Sequence, residues 1–234
     1  MKISKTLTGQ PHAGFTFELR FVRAPGDRAS LLNIKTAHLF FISSSGKIVT
    51  MTEGLLSELP RMVSVDIESA GSNPADYALL SIGACTLLAP RANFYVELQP
   101  DKMTMDEGAM QVHGLDLHHL AAHGQAPASA LQMLEGWLAD SIPDRRGPLF
   151  LGFNAAFDWM FINDYYLHYL GRNPFGHSAL DIKSFAMGLQ QVAWQDTRMA
   201  QLNNKPLRHN ALEDALDQAD IFLNLLHKAG ILDS

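Results

Sequence analysis

Apolar and polar positions change their period several times along the chain. Phe15–Phe21 alternates, as a half-buried strand does. His38–Ile42 is a short apolar run followed by the turn residues Ser43–Gly46. From residue 61 the pattern becomes more regular. Met62–Val65 reads as a strand ending at Asp66, Leu79–Leu88 as a buried strand, Asn93–Leu98 as a third and Leu149–Leu151 as a fourth. Pro127 opens a helix with Leu131, Leu134, Trp137 and Leu138 on one face. Residues 155–170 read as helical, and Ala179-Leu180 leads into a helix near Lys183. The last helix has the clearest stripe, with Leu212, Ala215, Leu216, Ala219, Phe222, Leu223 and Leu226 at helical spacing. Three strands followed by helices mixed with strands predict an α/β domain on a mixed sheet over residues 61–234. Residues 1–60 form an N-terminal extension with no assigned role.

Composition narrows the class. The chain has 234 residues, 47% hydrophobic and 18% charged, enough for a core without disulfide staples. Cys85 is the only cysteine, which excludes an intramolecular disulfide and fits a reducing, cytoplasmic setting. The first fifteen residues lack a secretory apolar core, and no run approaches the roughly 20 apolar residues of a membrane helix. Charge is uneven. Residues 1–60 carry 7 Lys/Arg against 4 Asp/Glu, whereas residues 61–234 carry 11 against 20, a balance of −9. Such a domain is a poor general binder of nucleic acid, whose phosphates dominate affinity. The same balance arises where a site must hold cations.

Three short motifs carry candidate chemistry. Asp66 and Glu68 are two apart, so on a strand they share a face, and burying both requires a neutralising partner such as Mg²⁺ or Mn²⁺. Read alone, they equally describe a wet strand end. Gly152–Asp158 runs from a strand into a helix, with Asn154 as N-cap and Asp158 about one turn in. Read alone, Asp158 is an ordinary first-turn carboxylate facing the helix dipole. In Arg208–Asp214, Asn210 and Glu213 resemble a capping box, with His209 just outside the helix and Asp214 in its first turn, off the apolar stripe. Together, four carboxylates and a histidine make a chemical unit. Two cations about 3.5–4 Å apart hold an attacking water and a leaving oxygen, and a histidine that titrates near neutrality takes the proton. That unit suits phosphodiester hydrolysis.

From about residue 62 to 226 the sequence resembles the DEDD 3′–5′ exonucleases of the histidine subtype, and within them ribonuclease T and the proofreading exonuclease of DNA polymerase III. Asp66-Ile-Glu68, Phe153-Asn-Ala-Ala-Phe-Asp158 and His209-Asn-Ala-Leu-Glu-Asp214 look like the three family motifs, in order and spacing. Ser81–Ala84, Val112–Leu115, Glu68–Gly71, Gly171–Phe175 and Leu180-Asp181 are similar to further family words. The resemblance implies an RNase H-like three-layer fold with a mixed five-stranded central sheet and flanking helices. It implies Asp66, Glu68, Asp158 and Asp214 on two Mg²⁺ ions, for which Mn²⁺ substitutes, and His209 as general base. It also implies 3′-end trimming of single-stranded RNA or DNA with release of nucleoside 5′-monophosphates and, by analogy, a homodimer. Departures bear on substrate. Ser72 stands where a base-stacking Phe is expected, and no strongly basic patch is evident.

Around this unit, Phe157, Phe175, Arg208 and His113 are the candidate substrate contacts. The aromatics would stack on bases and Arg208 would hold a phosphate. Against these stand plain structural roles: Phe157 and Phe175 in the core, Arg208 solvated, His113 hydrogen-bonded. Asp181 reads as a helix cap and Cys85 as a core residue. His119 and His123 have the spacing of a zinc site, but no third ligand follows, so a polar surface helix is the simpler reading. Two rivals to an exonuclease are a phosphohydrolase acting on nucleotides or very short oligonucleotides, and a non-catalytic binding module that docks on nucleic acid or a polymerase. The chemical positions are all filled, which favours an enzyme.

Overall fold

The computed structural model describes residues 40–42, 48–203 and 208–232. The expected strand at Phe15–Phe21 and the turn at Ser43–Gly46 lie outside them. A two-stranded antiparallel sheet, β1 (Phe40–Ile42) and β2 (Ile48–Thr50), precedes the short helix α1 (Met51–Leu56). The main sheet comprises β3 (Met62–Ser69), β4 (Leu79–Thr86), β5 (Asn93–Glu97), β6 (Leu149–Gly152) and β7 (Ala179–Asp181), in the spatial order β5-β4-β3-β6-β7. β4 runs antiparallel to β3 and β5, whereas β6 is parallel to β3 and to β7. The fold is therefore the mixed five-stranded α/β sheet flanked by helices expected from sequence. Among the described residues, no helix is long and apolar enough to cross a membrane.

The two faces of β3 go to different layers. Val63, Val65 and Ile67 join one core with α4 (Pro127–Ser141) and α5 (Ala156–Leu170). Met62 joins a second core with α6 (Ile182–Gln190) and α8 (Ala211–Lys228). Alternation along a strand enforces this split. Ser64 is on the α8 side, where its hydroxyl donates to the carbonyl of Ala215 at 2.8 Å. Asp66 and Glu68 follow Ser64 at period two and share that side.

β3 also extends further than expected. It passes through Asp66 and Glu68 to Ser69, held by pairing of Asp66 with Gly83 and of Glu68 with Ser81 on β4. The hydrophobic pattern ends early because the α8 side of the strand turns acidic while Ile67 keeps the other side apolar. β6 pairs with Met62–Ser64 alone, so beyond Ser64 the β3 edge facing β6 is free. β7 is a short strand where sequence suggested only an approach to a helix. α2 (Glu107–His113) and α3 (Leu117–His123) are capped by Asp106 and Asp116. His119 and His123 lie ring beside ring on α3 with centroids 4.5 Å apart.

Gly83 sets how closely α8 sits on the sheet. A Cβ there would come within 2.1 Å of the Ala211 carbonyl carbon and 2.2 Å of the Leu212 nitrogen. These are backbone atoms and cannot swing aside. Gly83→Ala should therefore cost about 3 kcal/mol of stability and lower Tm by roughly 6–12 °C, read by thermal denaturation in EDTA. A Tm within about 2 °C of native would show that α8 is not seated this tightly.

Candidate active site

The candidate site forms where the free edge of β3, the start of α5 and the start of α8 meet. Asp66, Ile67, Glu68, Phe153, Asn154, Phe157, Asp158, Met199, His209 and Asp214 line a cleft of about 210 Å³. All four expected carboxylates and the histidine thus border one cavity. One oxygen from each of Asp66, Glu68 and Asp214 lies within 4.8 Å of the others, the one such grouping of potential metal ligands among the described residues. Asp158 stands beside this trio and is anchored differently. Its Oδ1 accepts the Ile67 amide at 3.1 Å, filling the place a further residue of β6 would take on the β3 edge.

Each segment is positioned by local backbone chemistry. Asn210 caps α8 by accepting the Glu213 amide at 3.2 Å, as the sequence suggested. His209, immediately before it, adopts φ = 54°, a left-handed conformation uncommon for a side-chain-bearing residue. Asp214 is not off the inner face, as the apolar stripe implied. It is buried in a row with Ala211, Ala215, Gln218, Ala219 and Phe222, while Leu212, Leu216 and Leu223 are only partly covered. The stripe misled because the inner face becomes polar where it reaches the site. Asn154 likewise does not cap α5. It is exposed at φ = 59° in the preceding turn, Ala155 is the N-cap residue, and Asp158 is the third residue of the helix. Asp181 fixes that turn, as its two oxygens accept the amides of Ala155 (2.8 Å) and Ser184 (2.6 Å), capping α6 as expected.

Gln218 is a site residue that sequence reasoning missed. It is buried one turn after Asp214. Its amide nitrogen donates to Asp66 Oδ1 at 2.6 Å and its carbonyl oxygen accepts the Phe153 amide at 3.0 Å. One side chain on α8 thereby links β3 to the turn that leads into α5. The available signal was its position, four residues after a candidate ligand on the same helix face.

The electrostatics favour a cation among these groups. Burial, reinforced by the charges of Asp158, Glu68 and Asp214, holds the Asp66 carboxyl well above the usual range. Burial and the Asp214 charge push Glu68 up to about 7. Burial pushes Asp158 up to about 8, against two backbone amide bonds that favour its charged form. An all-oxygen donor set of this charge suits a hard divalent ion such as Mg²⁺ or Mn²⁺.

The expected substrate contacts separate. Phe157 is half-buried against Phe161, 5.4 Å between centroids, and still borders the cleft. Phe175 does not. Only 5% exposed, it packs edge-on against Phe150 in the core, because its Pro/Gly loop folds inward. The Arg208 side chain pairs with Glu213, while its amide donates to Asp214 Oδ1 at 3.3 Å. His113 borders an adjoining cavity of about 360 Å³ that shares Ile67, Glu68 and Phe157 with the first. Its Nδ1 accepts the Leu115 amide (3.1 Å), so its Nε2–H donates to the Ser69 carbonyl (3.2 Å). Burial lowers its pKa. Ser72 also lines this second cavity.

Comparison with known proteins agrees with this geometry. The family described as Exonuclease, of the RNase T type, matches residues 63–222. A 3′–5′ DNA exonuclease of Escherichia coli, Cap18, is 41% identical over 165 residues, covering 68% of this chain and 88% of the relative. The nuclease domain of 3′hExo, described as a DEDDh family member bound to rAMP, superposes with a TM-score of 0.59 at 15% identity, over 71% of this chain and 92% of that one. A 3′-exonuclease that recognises the 3′ end of a histone mRNA stem-loop gives 0.60 at 14% identity, and the match spans 71% of this chain and 63% of that structure's. These two structural likenesses show the fold.

Asp158 also permits a test of the cluster's cost. An acid whose pKa is raised on folding contributes stability below its unfolded value and loses it as pH rises through the folded one. For Asp158 that window runs from the ordinary 3.8 to about 8. In EDTA, native Tm should fall between pH 5 and pH 8.5, and Asp158→Asn, which still accepts the Ile67 amide, should fall less and be several degrees more stable at pH 8.5. Parallel pH dependences would remove Asp158 from the repulsive cluster.

Proposed function

Because the chain belongs to the DEDD-superfamily exonucleases and is a 3′–5′ exonuclease, we propose that it is of the histidine subtype and removes nucleoside 5′-monophosphates from the 3′ end of single-stranded nucleic acid. The observation that carries this reading is the convergence of Asp66, Glu68 and Asp214 within 4.8 Å of one another, on a cleft that Asp158 and His209 also border. We assign Asp66, Glu68, Asp158 and Asp214 to hold two Mg²⁺ ions, or Mn²⁺ in their place, and residues 61–234 to the catalytic domain. When bound, such ions supply charge neutralisation at the scissile phosphate and activation of a water.

The remaining work falls to the chain. His209, on its left-handed backbone at the mouth, accepts the proton of the attacking water. The water oxygen bonds to phosphorus as the P–O3′ bond breaks, and the departing O3′ takes a proton from solvent, leaving a 3′-hydroxyl on the shortened strand and the terminal nucleoside as its 5′-monophosphate. Gln218 holds Asp66 through Oδ1, which leaves Oδ2 for a cation. The apolar-lined second cavity, bordered by Phe157 and His113, takes the terminal nucleoside. His113 supports this wall by fixing Ser69. Arg208 meets a phosphate by exchanging its Glu213 partner. Substrate preference between DNA and RNA follows the relatives no further than their names: Cap18 is described as a DNA exonuclease, and we take single-stranded DNA as the first substrate to try. The domain charge of −9 favours one rival, a hydrolase of very short oligonucleotides.

A 5′-labelled single-stranded twenty-mer should give a Mg²⁺-dependent ladder shortening from its 3′ end, absent with EDTA and lost by at least about 10³-fold in Asp66→Ala. Retained cleavage in Asp66→Ala would sink the assignment. Equal kcat/KM on a dinucleotide and the twenty-mer would mark the short-substrate rival. His209→Ala should lose at least about 10²-fold and flatten the acidic limb of the pH–rate profile. An unchanged limb would remove His209 from the role of base.

A further inference from the structure

Resting on that exonuclease reading, we propose that Trp194 and its flanking cations form a stacking platform for the single-stranded segment upstream of the scissile end. The charge distribution first singles out this stretch. Residues 183–208 carry four basic residues against one acidic, while residues 61–182 carry 6 against 14 and residues 209–234 carry 1 against 5. The one basic stretch of an acidic domain leads directly to His209.

The structure then gives the stretch a form that binds bases. Trp194 is 45% exposed, unlike Trp137 and Trp159, which pack against the core. It opens a 3₁₀ turn, Trp194–Asp196, closed by Thr197, whose side chain is fully buried and whose hydroxyl donates to the Trp194 carbonyl at 2.8 Å. The Lys183 ammonium, from α6, lies 3.9 Å from the ring centroid. That contact sets the orientation of the indole and brings a cation beside it. Neither Lys183 nor Arg198 has a carboxylate partner among the described residues, whereas Arg61, Arg91, Lys102, Arg146, Arg172 and Arg208 are all paired. An exposed aromatic ring with Lys183 against one face and Arg198 four residues further along the chain has the composition of a sequence-tolerant single-strand site.

Its place relative to the cleft fits an upstream segment. Arg198 precedes Met199, which opens α7 (Met199–Asn203) and forms part of the cleft wall. Trp194 lies five positions before Met199 in that wall, a span of at most ~18 Å. A strand with its 3′ end in the cleft thus reaches the indole after a few nucleotides. A single nucleotide ester placed at the scissile position does not need it.

The experiment compares native protein, Trp194→Ala, Trp194→Phe and the double variant Lys183→Ala/Arg198→Ala. Two substrates are used, a single-stranded twenty-mer and the p-nitrophenyl ester of thymidine 5′-monophosphate. We expect Trp194→Ala to raise KM for the twenty-mer about tenfold, with kcat and ester hydrolysis changed less than twofold, and Trp194→Phe to restore most of the KM. The double variant should reduce the slope of log affinity against log salt by about 0.7 for each cation removed, measured by anisotropy of the labelled twenty-mer in EDTA. Equal losses on ester and twenty-mer would make Trp194 a structural brace and overturn the platform. An unchanged KM and salt slope would overturn it as well. Native protein that hydrolyses neither substrate and binds no twenty-mer would overturn the exonuclease reading itself, a result distinct from native trimming with silent Trp194 variants.

Discussion

The first turn of α8 rests directly on the backbone of β4, and the site depends on that seating. Gly83 permits it by having no side chain, and Ser64 and Cys85 fasten the helix through the Ala215 carbonyl. Because Gly83 is the partner of Asp66 on the adjacent strand, the same approach that brings Ala211 to the sheet brings Asp214 and His209 to Asp66 and Glu68. Gln218, one turn further on, then reaches Asp66. A helix seated farther out would leave two half-sites separated by solvent. Their carboxylates would be hydrated, unstrained and unable to share a cation.

Close seating has an electrostatic consequence. Carboxylates brought together at a strand edge lose water and repel, and the raised pKa values of Asp66, Glu68 and Asp158 express burial first and repulsion second. The fold tolerates the repulsion because backbone and amide donors, the Ile67 and Arg208 N–H groups and the Gln218 side chain, hold three of the four groups in place. Those bonds orient the carboxylates without neutralising them. The remaining negative charge suits the cleft to a divalent cation, and the same charge disfavours the metal-free fold as pH rises.

This charge also explains which features were legible in the sequence. Four of the main-sheet strands, the last helix, the Asn210 cap and the three motifs follow from periodicity and spacing, because in those places burial and chemistry do not compete. Reading failed where they do. β3 seemed to stop at Asp66 because a buried strand is expected to stay apolar. Asp214 seemed to lie off the inner face of α8 for the same reason, and Gln218 went unread, whereas both occupy that face. Phe175 erred in the opposite direction, since a Pro/Gly loop suggested exposure and the structure folds its ring onto Phe150. No pattern of single residues announces that Asp158 replaces a missing strand residue beside Ile67. That contact is a property of where β6 ends.

The acidity required for cations also repels a polyanionic substrate. A nuclease with a broad basic groove answers this by long-range attraction, but here six of the ten described arginines and lysines are tied to carboxylates. Their pairing braces the surface and removes them from phosphate binding. Strand affinity must then come from contacts that do not depend on net charge: an apolar cavity for the terminal nucleoside, an exposed aromatic ring and a few unpaired cations near the mouth. Such contacts act only at short range and are insensitive to base sequence. The enzyme this describes captures a 3′ end locally, with weak electrostatic steering from a distance and a shallow dependence on salt.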